Sequence, residues 1–228
     1  MTEAIRAGDV TDLFIAPNAK ATEGLRAVLD AATSAGITVQ TVERAALDAR
    51  APAHQGVLAL VREPDVPKEL SERDLDVFPF TDDAVVVILD GITDPQNLGA
   101  AARAAEVAGV AVLVSRVKRA ADLTPAAVRA SAGALLHLPH ARVANIARAI
   151  GRLQDAGFTV VGLDGTAPDD IYGAPCPPGR VAIVLGSEGE GISRLAKERC
   201  DVLVSLPVRG KVGSLNASAS LAAALYAY

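Results

Sequence analysis

Residues 181–221, VAIVLGSEGEGISRLAKERCDVLVSLPVRGKVGSLNASASL, contain the pattern that decides the fold. An apolar run at residues 181–185 predicts a buried strand, and it leads directly into a glycine-rich turn at residues 186–191. Glycines let a backbone approach a ligand closely and adopt positive φ. A second apolar run, residues 202–206, predicts another strand, and Ser214 opens an alanine-rich helix. Ligands of open α/β sheets bind at the carboxyl ends of strands, so we expect these elements to converge on one small ligand.

The same alternation of apolar strands and helices extends over residues 81–228. It is typical of a parallel sheet covered by helices on both faces, so the predicted fold class is α/β. The predicted strands are residues 84–89, 110–115, 135–138, 158–163, 181–185 and 202–206, and the predicted helices are residues 98–108, 125–131, 143–156, 192–198 and 214–226.

The first 62 residues predict a separate, smaller α/β domain. Strands at residues 12–16, 37–42 and 57–61 alternate with helices at residues 22–34 and 43–48, which gives a β-α-β-α-β order. The next segment combines prolines with charged residues, a composition that predicts a linker. The predicted organisation is a small domain at residues 1–62, a linker at residues 63–80 and a larger domain at residues 81–228.

The composition excludes several classes of protein. Hydrophobic residues make up 50% of the chain but aromatic residues only 3%, so the core must consist of Ala, Val, Leu and Ile. The best candidate for a membrane span, residues 100–114, is interrupted by Arg103 and Glu106, so we expect no membrane partner. The start has no signal-peptide pattern. Cys176 and Cys200 form no disulfide framework, which indicates the reducing cytoplasm.

The distribution of charge is more informative than its total. A net charge of −5 argues against a generic nucleic-acid binder. Residues 1–80 carry 8 Lys or Arg and 13 Asp or Glu, whereas residues 81–228 carry 14 of each. Within this neutral part, basic residues cluster at residues 116–119 and 209–211. Such a cluster can bind phosphate even on an acidic protein; the alternative is a merely solvated surface.

Three motifs follow one another along the chain: LDGITDPQNLGAAAR at residues 89–103 followed by Gly109, LGSEGEG at residues 185–191, and LP at residues 206–207 with SLN at residues 214–216. Together and in this order they resemble the signature motifs of the SpoU (TrmH-like) branch of the SPOUT RNA methyltransferases. The resemblance covers residues 85–228 well. The preceding segment is similar to the ribosomal-protein-like RNA-binding domain of many SpoU relatives, in which the HQGV element of residues 54–57 recurs. In that family a Gly-Arg-Asn-like segment precedes Glu-Ala-Ile, so this chain, with Glu3, is expected to begin inside the first helix.

The resemblance implies a fold and an activity. The fold is a parallel α/β sheet with a C-terminal trefoil knot, which ordinary topology rules would not suggest because true knots are essentially absent from proteins. The implied protein is a homodimer whose interface lies beside the cofactor site. The implied activity is S-adenosylmethionine-dependent 2′-O-ribose methylation of RNA, in the group that modifies a guanosine of 23S ribosomal RNA. The alternatives are a tRNA 2′-O-methyltransferase and a non-catalytic RNA-binding protein that keeps the knot.

The resemblance also assigns roles to individual residues. Asn97 and Arg103 are expected to line the reaction site, where Arg103 either removes the proton of the ribose 2′-hydroxyl or stabilises the developing alkoxide. Glu188 is expected to orient Arg103 through a charge-assisted hydrogen bond; the simpler alternative is a solvated turn carboxylate. Asn216 is expected to be both catalytic and cofactor-binding; the alternative for Asn216 and Ser214 is simple capping of the helix. The expected cofactor-binding residues are Gly186, Leu206, Ser214, Leu215 and Asn216.

Other candidate sites in the sequence are weaker. His137 and His140 have no Cys or carboxylate neighbours at metal-ligand spacing, so we expect no metal site. No Gly-x-Gly-x-x-Gly motif follows a predicted strand, which argues against a dinucleotide oxidoreductase. Asp94 and Pro95 have a structural explanation as the cap and the first residue of a helix.

Overall fold

The computed structural model describes residues 1–6, 8, 10–51, 54–61, 69–211 and 213–228. The chain divides into two compact units, Met1–Val66 and Pro67–Tyr228. Residues 62–68, which include the first part of the predicted linker, lie outside the described residues. No helix in the described part of the chain is both long and apolar enough to cross a bilayer.

The first unit has a small α/β fold. Over the described residues it has a three-stranded sheet of order β2-β1-β3, in which β1 is parallel to β2 and antiparallel to β3. Its core includes the buried side chains of Ile5, Leu13 and Ala32. The predicted β-α-β-α-β order is therefore confirmed. The elements are α1 (Thr2–Arg6), β1 (Val10–Ile15), α2 (Glu23–Ser34), β2 (Val39–Thr41), α3 (Arg44–Asp48) and β3 (Val57–Val61).

The second unit contains the larger sheet. Its elements are β4 (Leu70–Ser71), β5 (Val85–Asp90), α4 (Pro95–Val107), β6 (Val112–Arg116), α5 (Pro125–Ala130), β7 (His140–Val143), α6 (Ile146–Asp155), β8 (Thr159–Leu163), β9 (Val181–Gly186), α7 (Arg194–Lys197), β10 (Val202–Val204) and α8 (Ala217–Leu225). In the described residues seven strands pair in the order β10-β8-β9-β5-β6-β7-β4, and each of these pairings is parallel. The predicted parallel α/β class is confirmed.

Both faces of this sheet are buried, as alternation along β5 shows. Val87 and Leu89 belong to one core, which α4, α5 and α8 cover. Val86 and Ile88 belong to a second core on the opposite face, which α6 and α7 cover. Successive side chains of a strand point to opposite faces. A continuous apolar run is therefore what a strand covered on both sides requires.

The position of α4 is fixed by its cap and by close packing. The Asp94 side chain accepts a hydrogen bond from the Gln96 backbone N–H at 3.1 Å, and Pro95 is the first helical residue. A Cβ at Gly99 would lie 2.5 Å from the carbonyl oxygen of Ala127. Glycine at this position therefore lets α4 pack directly on α5.

The predicted strand at residues 135–138 is wrong. These apolar residues belong to a buried turn with a short 3₁₀ helix, Ala134–Leu136. The strand is β7, which starts directly after Pro139. A short apolar run does not distinguish a strand from another buried segment, and the polar residues His140 and Arg142 obscured the apolar pattern of β7.

Residues 69–80, the second part of the predicted linker, pack on the second unit. Leu70 pairs with Ala141 as β4 joins the edge of the sheet, and Leu75 is buried. Glu72 forms ion pairs with Arg148 and Arg152 of α6. The hydrogen bond from Arg148, the largest cause, holds the pKa of Glu72 below its ordinary value.

Candidate active site

A cavity of about 660 Å³ opens at the carboxyl ends of β8, β9 and β10. Its walls are the connections that follow these three strands, together with the start of α8. The two strand ends, the glycine turn and the helix start expected from residues 181–221 therefore converge on one cavity. The main lining segments are residues 163–166, 185–191, 206–210 and 213–215, with Ala217 and Ser220 from α8.

The turn after β9 is shaped by its glycines. Gly186 is fully covered, and a Cβ there would lie 1.9 Å from the carbonyl carbon of Gly191. The turn closes through two backbone hydrogen bonds, from Ser187 N to Gly191 O at 3.2 Å and from Gly191 N to Ser187 O at 2.9 Å. Gly189, with φ of 89°, adopts the left-handed conformation that favours glycine. This tight turn places backbone and Glu188 at the cavity wall.

A buried carboxylate holds the segment that follows the turn. Asp90, the last residue of β5, is 2% exposed, and its Oδ2 accepts a hydrogen bond from the Ser193 backbone N–H at 2.8 Å. Asp90 also lies opposite Gly186 in the register of β5 and β9. One side chain therefore connects the central strand of the sheet to the chain beyond the glycine turn.

Glu188 connects the starts of two helices. Its Oε1 accepts hydrogen bonds from Asn97 Nδ2 at 3.5 Å and from the Ala217 backbone N–H at 3.3 Å. Asn97 lies in the first turn of α4, and Ala217 is the first residue of α8. Both helix N-termini carry partial positive charge, which favours a carboxylate between them. The structure therefore brings together two of the expected site residues, Asn97 and Glu188.

Arg103 lies elsewhere on the same helix. It is exposed and follows Asn97 by six residues, which is about 9 Å along a helix axis. Among the described residues its guanidinium has no hydrogen-bond or ion-pair partner. The expected hydrogen bond between Glu188 and Arg103 is therefore not formed within this single chain.

The expected cofactor-binding residues separate into two groups. Asn216 caps α8, because its Oδ1 accepts hydrogen bonds from the Ala219 backbone N–H at 2.8 Å and from Ser218 Oγ at 3.3 Å. Asn216 does not line the cavity, so in this structure its role is to cap α8. The residues that do line the cavity are Gly186, Leu206, Ser214 and Leu215.

Comparison with protein families identifies the larger domain. The model of the SpoU rRNA Methylase family matches residues 84–226. The chain belongs to this family. A second model, described as RNA 2′-O ribose methyltransferase substrate binding, matches residues 2–67.

Proteins similar to this SpoU family member include named methyltransferases and solved structures. The 23S rRNA (guanosine-2′-O-)-methyltransferase RlmB of Photobacterium profundum is 43% identical over 194 residues, which cover 84% of this chain and 78% of that protein. The protein of the same name from Escherichia coli is 38% identical over 202 residues, covering 87% and 82%. The SpoU methyltransferase AviRb from Streptomyces viridochromogenes, solved in complex with the cofactor AdoMet, is 25% identical with a TM-score of 0.72, covering 99% and 85%.

The site of this SpoU family member includes an acidic residue that the motifs do not contain. Asp164 follows β8 and lines the cavity. It accepts hydrogen bonds from Thr166 N at 2.9 Å and Thr166 Oγ1 at 2.8 Å, and it pairs with Lys197. Burial acts to raise the pKa of Asp164, but the hydrogen bonds from Lys197 and Thr166 outweigh it and hold the pKa below its ordinary value. The position of Asp164 directly after a predicted strand, residues 158–163, was the signal that could have identified it.

Proposed function

We propose that this chain transfers the methyl group of S-adenosylmethionine to the ribose 2′-hydroxyl of a guanosine in 23S ribosomal RNA. The observation that carries the proposal is the convergence of separated signature-motif residues on one cavity, in a chain 38–43% identical to enzymes named for that reaction. The runner-up substrate is tRNA, and the runner-up class is a non-catalytic RNA-binding protein.

The cavity suits S-adenosylmethionine in size and chemistry. Its volume, about 660 Å³, falls within the usual range for small-molecule sites. We propose that Leu206 and Leu215 contact the adenine ring, while the backbone at Gly186 and the polar Ser214 bind its hydrogen-bonding groups. The cofactor supplies a methyl group on a positively charged sulfur. Of the charged residues that line the cavity, Asp164, Glu188 and Glu190 are acidic and Arg209 is basic, so acidic residues predominate in the lining.

The chain's own residues must position the ribose and assist the loss of its proton. A bond forms between the 2′-oxygen and the methyl carbon as the carbon–sulfur bond breaks, and sulfur keeps the electron pair. The hydroxyl proton passes to Arg103 where this residue acts as the base, and to water where it only stabilises the alkoxide. We propose that Asn97 and Glu188 fix the ribose beside the cavity, and that Arg103 acts as the base or stabilises the alkoxide. Stabilisation is the simpler role, since an arginine is nearly always charged.

A homodimer is part of this proposal. Arg103 is unpaired among the described residues of one chain, and the apolar Leu215 and Val208 at the cavity are 53% and 51% exposed. A second subunit would cover these side chains and contribute its own Arg103 to the shared site. Light scattering at micromolar concentration should give twice the 23.3 kDa chain mass. An active monomer would contradict the shared site.

The proposal extends to the path of the chain and to its domains. We propose that the segment after β9 forms the trefoil knot of the SPOUT fold; the placement of β9 between β5 and β8 supports it. Residues 1–62 would bind the RNA substrate and residues 81–228 would catalyse the reaction, with residues 69–80 attached to the catalytic domain. The free thiols of Cys176 and Cys200 suit action in the reducing cytoplasm.

Methyl transfer to defined RNAs tests the proposed function. Purified protein would be incubated with tritiated S-adenosylmethionine and unmodified transcripts of 23S ribosomal RNA or tRNA, and the product would be mapped by nuclease digestion and mass spectrometry. We expect 2′-O-methylguanosine at one position of the ribosomal RNA. Label on tRNA alone would select the runner-up substrate, and absence of transfer to either RNA would favour the non-catalytic alternative.

A further inference from the structure

A basic loop follows β6 at the same edge of the sheet as the cavity. It comprises residues 117–122, VKRAAD, and it lies at this edge because the carboxyl ends of parallel strands share one edge. Lys118 and Arg119 are exposed, and their side chains have no hydrogen-bond or ion-pair partner within the described ranges. The loop therefore presents two uncompensated cations to solvent.

The conformation of the basic loop is set by an arginine from a neighbouring strand. The side chain of Arg142 in β7 is only 8% exposed. Its guanidinium donates hydrogen bonds to Ala121 O at 2.8 Å, Val117 O at 3.2 Å and Asp122 Oδ1 at 3.0 Å. Burying a guanidinium is costly unless its donors are satisfied, so Arg142 and the loop backbone hold each other in one arrangement.

A strained residue indicates how strongly this arrangement is imposed. Arg119 has φ of 58°, the left-handed region in which non-glycine residues are uncommon. Such residues persist only where the surrounding structure holds them. The hydrogen bonds of Arg142 to Val117 and Ala121 lie on either side of Arg119. The exposed cations are thus carried on a fixed backbone, which a merely solvated loop does not require.

The basic loop is also joined to the first signature motif. The Ala121 backbone N–H donates to Ile92 O at 2.8 Å, and both side chains are buried in the same core. Ile92 lies in the connection between β5 and α4, which leads into Asn97. The loop is therefore fixed to the segment that places an expected reaction-site residue.

We propose that Lys118 and Arg119 bind phosphates of the RNA strand that carries the target ribose, and that Arg142 is the positioning residue for this contact. The proposal rests on the proposed function for the identity of the RNA. It assigns an RNA contact to the second unit itself, in addition to the domain that matches the substrate-binding model. Two ordered phosphate contacts at the same edge of the sheet as the cavity would fix which ribose enters it.

Charge removal on the loop tests the phosphate contact. The double variant Lys118→Gln/Arg119→Asn removes both charges, and Asn keeps access to the left-handed conformation. Its dissociation constant for a 23S ribosomal RNA fragment would be measured at several salt concentrations. We expect at least about tenfold weaker binding at low salt. The salt slope, which is the slope of the logarithm of the binding constant against the logarithm of the salt concentration, should be smaller in magnitude by about 1.4–1.8, the contribution of two phosphates. Calorimetry should show unchanged S-adenosylmethionine affinity.

A matched control removes two charges on the other face of the sheet. Arg194 and Arg199 are exposed residues in and after α7, and Arg194 pairs with Glu198 at 2.6 Å. Arg194→Gln/Arg199→Gln therefore lowers the net charge by the same two units. This control should retain the wild-type salt slope. Equal effects of the two double variants would show that the loop acts only through the total charge of the protein, and would overturn the proposal. Wild-type RNA binding by the loop variant would overturn it as well.

Arg142 is tested by two substitutions that fill its volume differently. Arg142→Met removes the donors, and we expect it to lose RNA affinity and salt slope as the loop variant does, with unchanged S-adenosylmethionine affinity. Arg142→Lys keeps a cation and should restore part of both. A purely structural role would change the melting temperature but not the salt slope. A folded Arg142→Met variant with the wild-type salt slope would refute the positioning role. If Arg142→Met does not fold, Arg142→Lys decides, because this variant should restore part of the RNA binding. A folded Arg142→Lys variant that loses as much RNA affinity as the loop variant would also refute the positioning role.

The outcome of this experiment is separable from that of the methylation assay. Loop-dependent RNA binding by a protein that methylates no ribosomal RNA would refute the proposed function and leave the phosphate contact standing. Methylation of ribosomal RNA by a protein whose RNA binding does not depend on the loop would refute the phosphate contact and leave the proposed function standing.

Discussion

Replacing Gly186 with alanine tests whether the turn after β9 forms the cofactor-binding wall. The added Cβ would lie 1.9 Å from the carbonyl carbon of Gly191 and 2.2 Å from the Ile192 nitrogen. Two carbons in contact are about 3.5 Å apart or more, so the backbone at Gly191 must move by roughly 1.6 Å. That movement breaks the two hydrogen bonds between Ser187 and Gly191. Each contributes about 1 kcal/mol net, and overpacking adds about 1–3 kcal/mol, so we expect a loss of roughly 3–5 kcal/mol from the free energy of unfolding.

Calorimetric titration of S-adenosylmethionine is the decisive assay for the Gly186→Ala variant. Because the displaced turn lines the cavity, we expect the dissociation constant to rise at least about tenfold, equivalent to about 1.4 kcal/mol. The titration would be done at a temperature where circular dichroism shows folded protein. Gly165→Ala is the matched control, since Gly165 lines the same cavity and a Cβ there would meet nothing within 4 Å. Unchanged affinity in Gly186→Ala would refute the reasoning.

Three further predictions concern single side chains. Arg103→Ala should reduce methyl transfer by about 100-fold or more without lowering the melting temperature, because the residue is exposed and alanine is the better helix former; wild-type turnover would make Arg103 a plain surface residue. Asp90→Asn should bind S-adenosylmethionine more tightly than Asp90→Ala, because an amide oxygen can still accept from Ser193 N; equal affinities would show that this hydrogen bond is dispensable. Burial, and secondarily Arg142, lowers the pKa of His140 from 6.5 to about 4, so the unfolded chain takes up this proton first as pH falls. The contribution of neutral His140 to the free energy of unfolding is complete above pH 6.5 and falls by about 3 kcal/mol toward pH 4. Urea unfolding of His140→Gln at several pH values should lack this part of the pH dependence, and an unchanged profile would contradict the prediction.

Apolar periodicity predicted most of the fold because the five inner strands of the larger sheet, β5 to β9, are largely buried on both faces. Residues 181–185 illustrate this, since the run corresponds to β9 almost residue for residue. The prediction was wrong at residues 135–138, where three leucines around the exposed His137 belong to a turn rather than a strand. It also missed β4, whose two residues carry too little pattern to identify a strand. The first error arises because burial, which the sequence reveals, does not by itself specify backbone conformation.

The candidate site was predictable where close backbone contact demands one residue type. The need for glycine at position 186 is visible in the sequence and has a direct steric reason in the structure. The relation of Glu188 to Arg103 was not predictable from spacing, since it depends on how a distant turn packs against α4. The basic loop shows the same limit. Its charges were evident, whereas its anchoring by Arg142 requires two neighbouring strands to be paired.

The order of strands in the sheet differs from the order in which a ribosome makes them. β5 and β8 are both synthesised before β9, yet they have no contact through the sheet until β9 pairs with each of them. A nascent chain that has not reached residue 186 therefore leaves unpaired the edges of β5 and β8 that β9 later covers, the kind of surface that promotes aggregation. The cavity gains its last wall only when α8 is made. Competence to bind the cofactor thus arrives late in translation, and a ribosome that stalls before α8 yields a chain without a complete site.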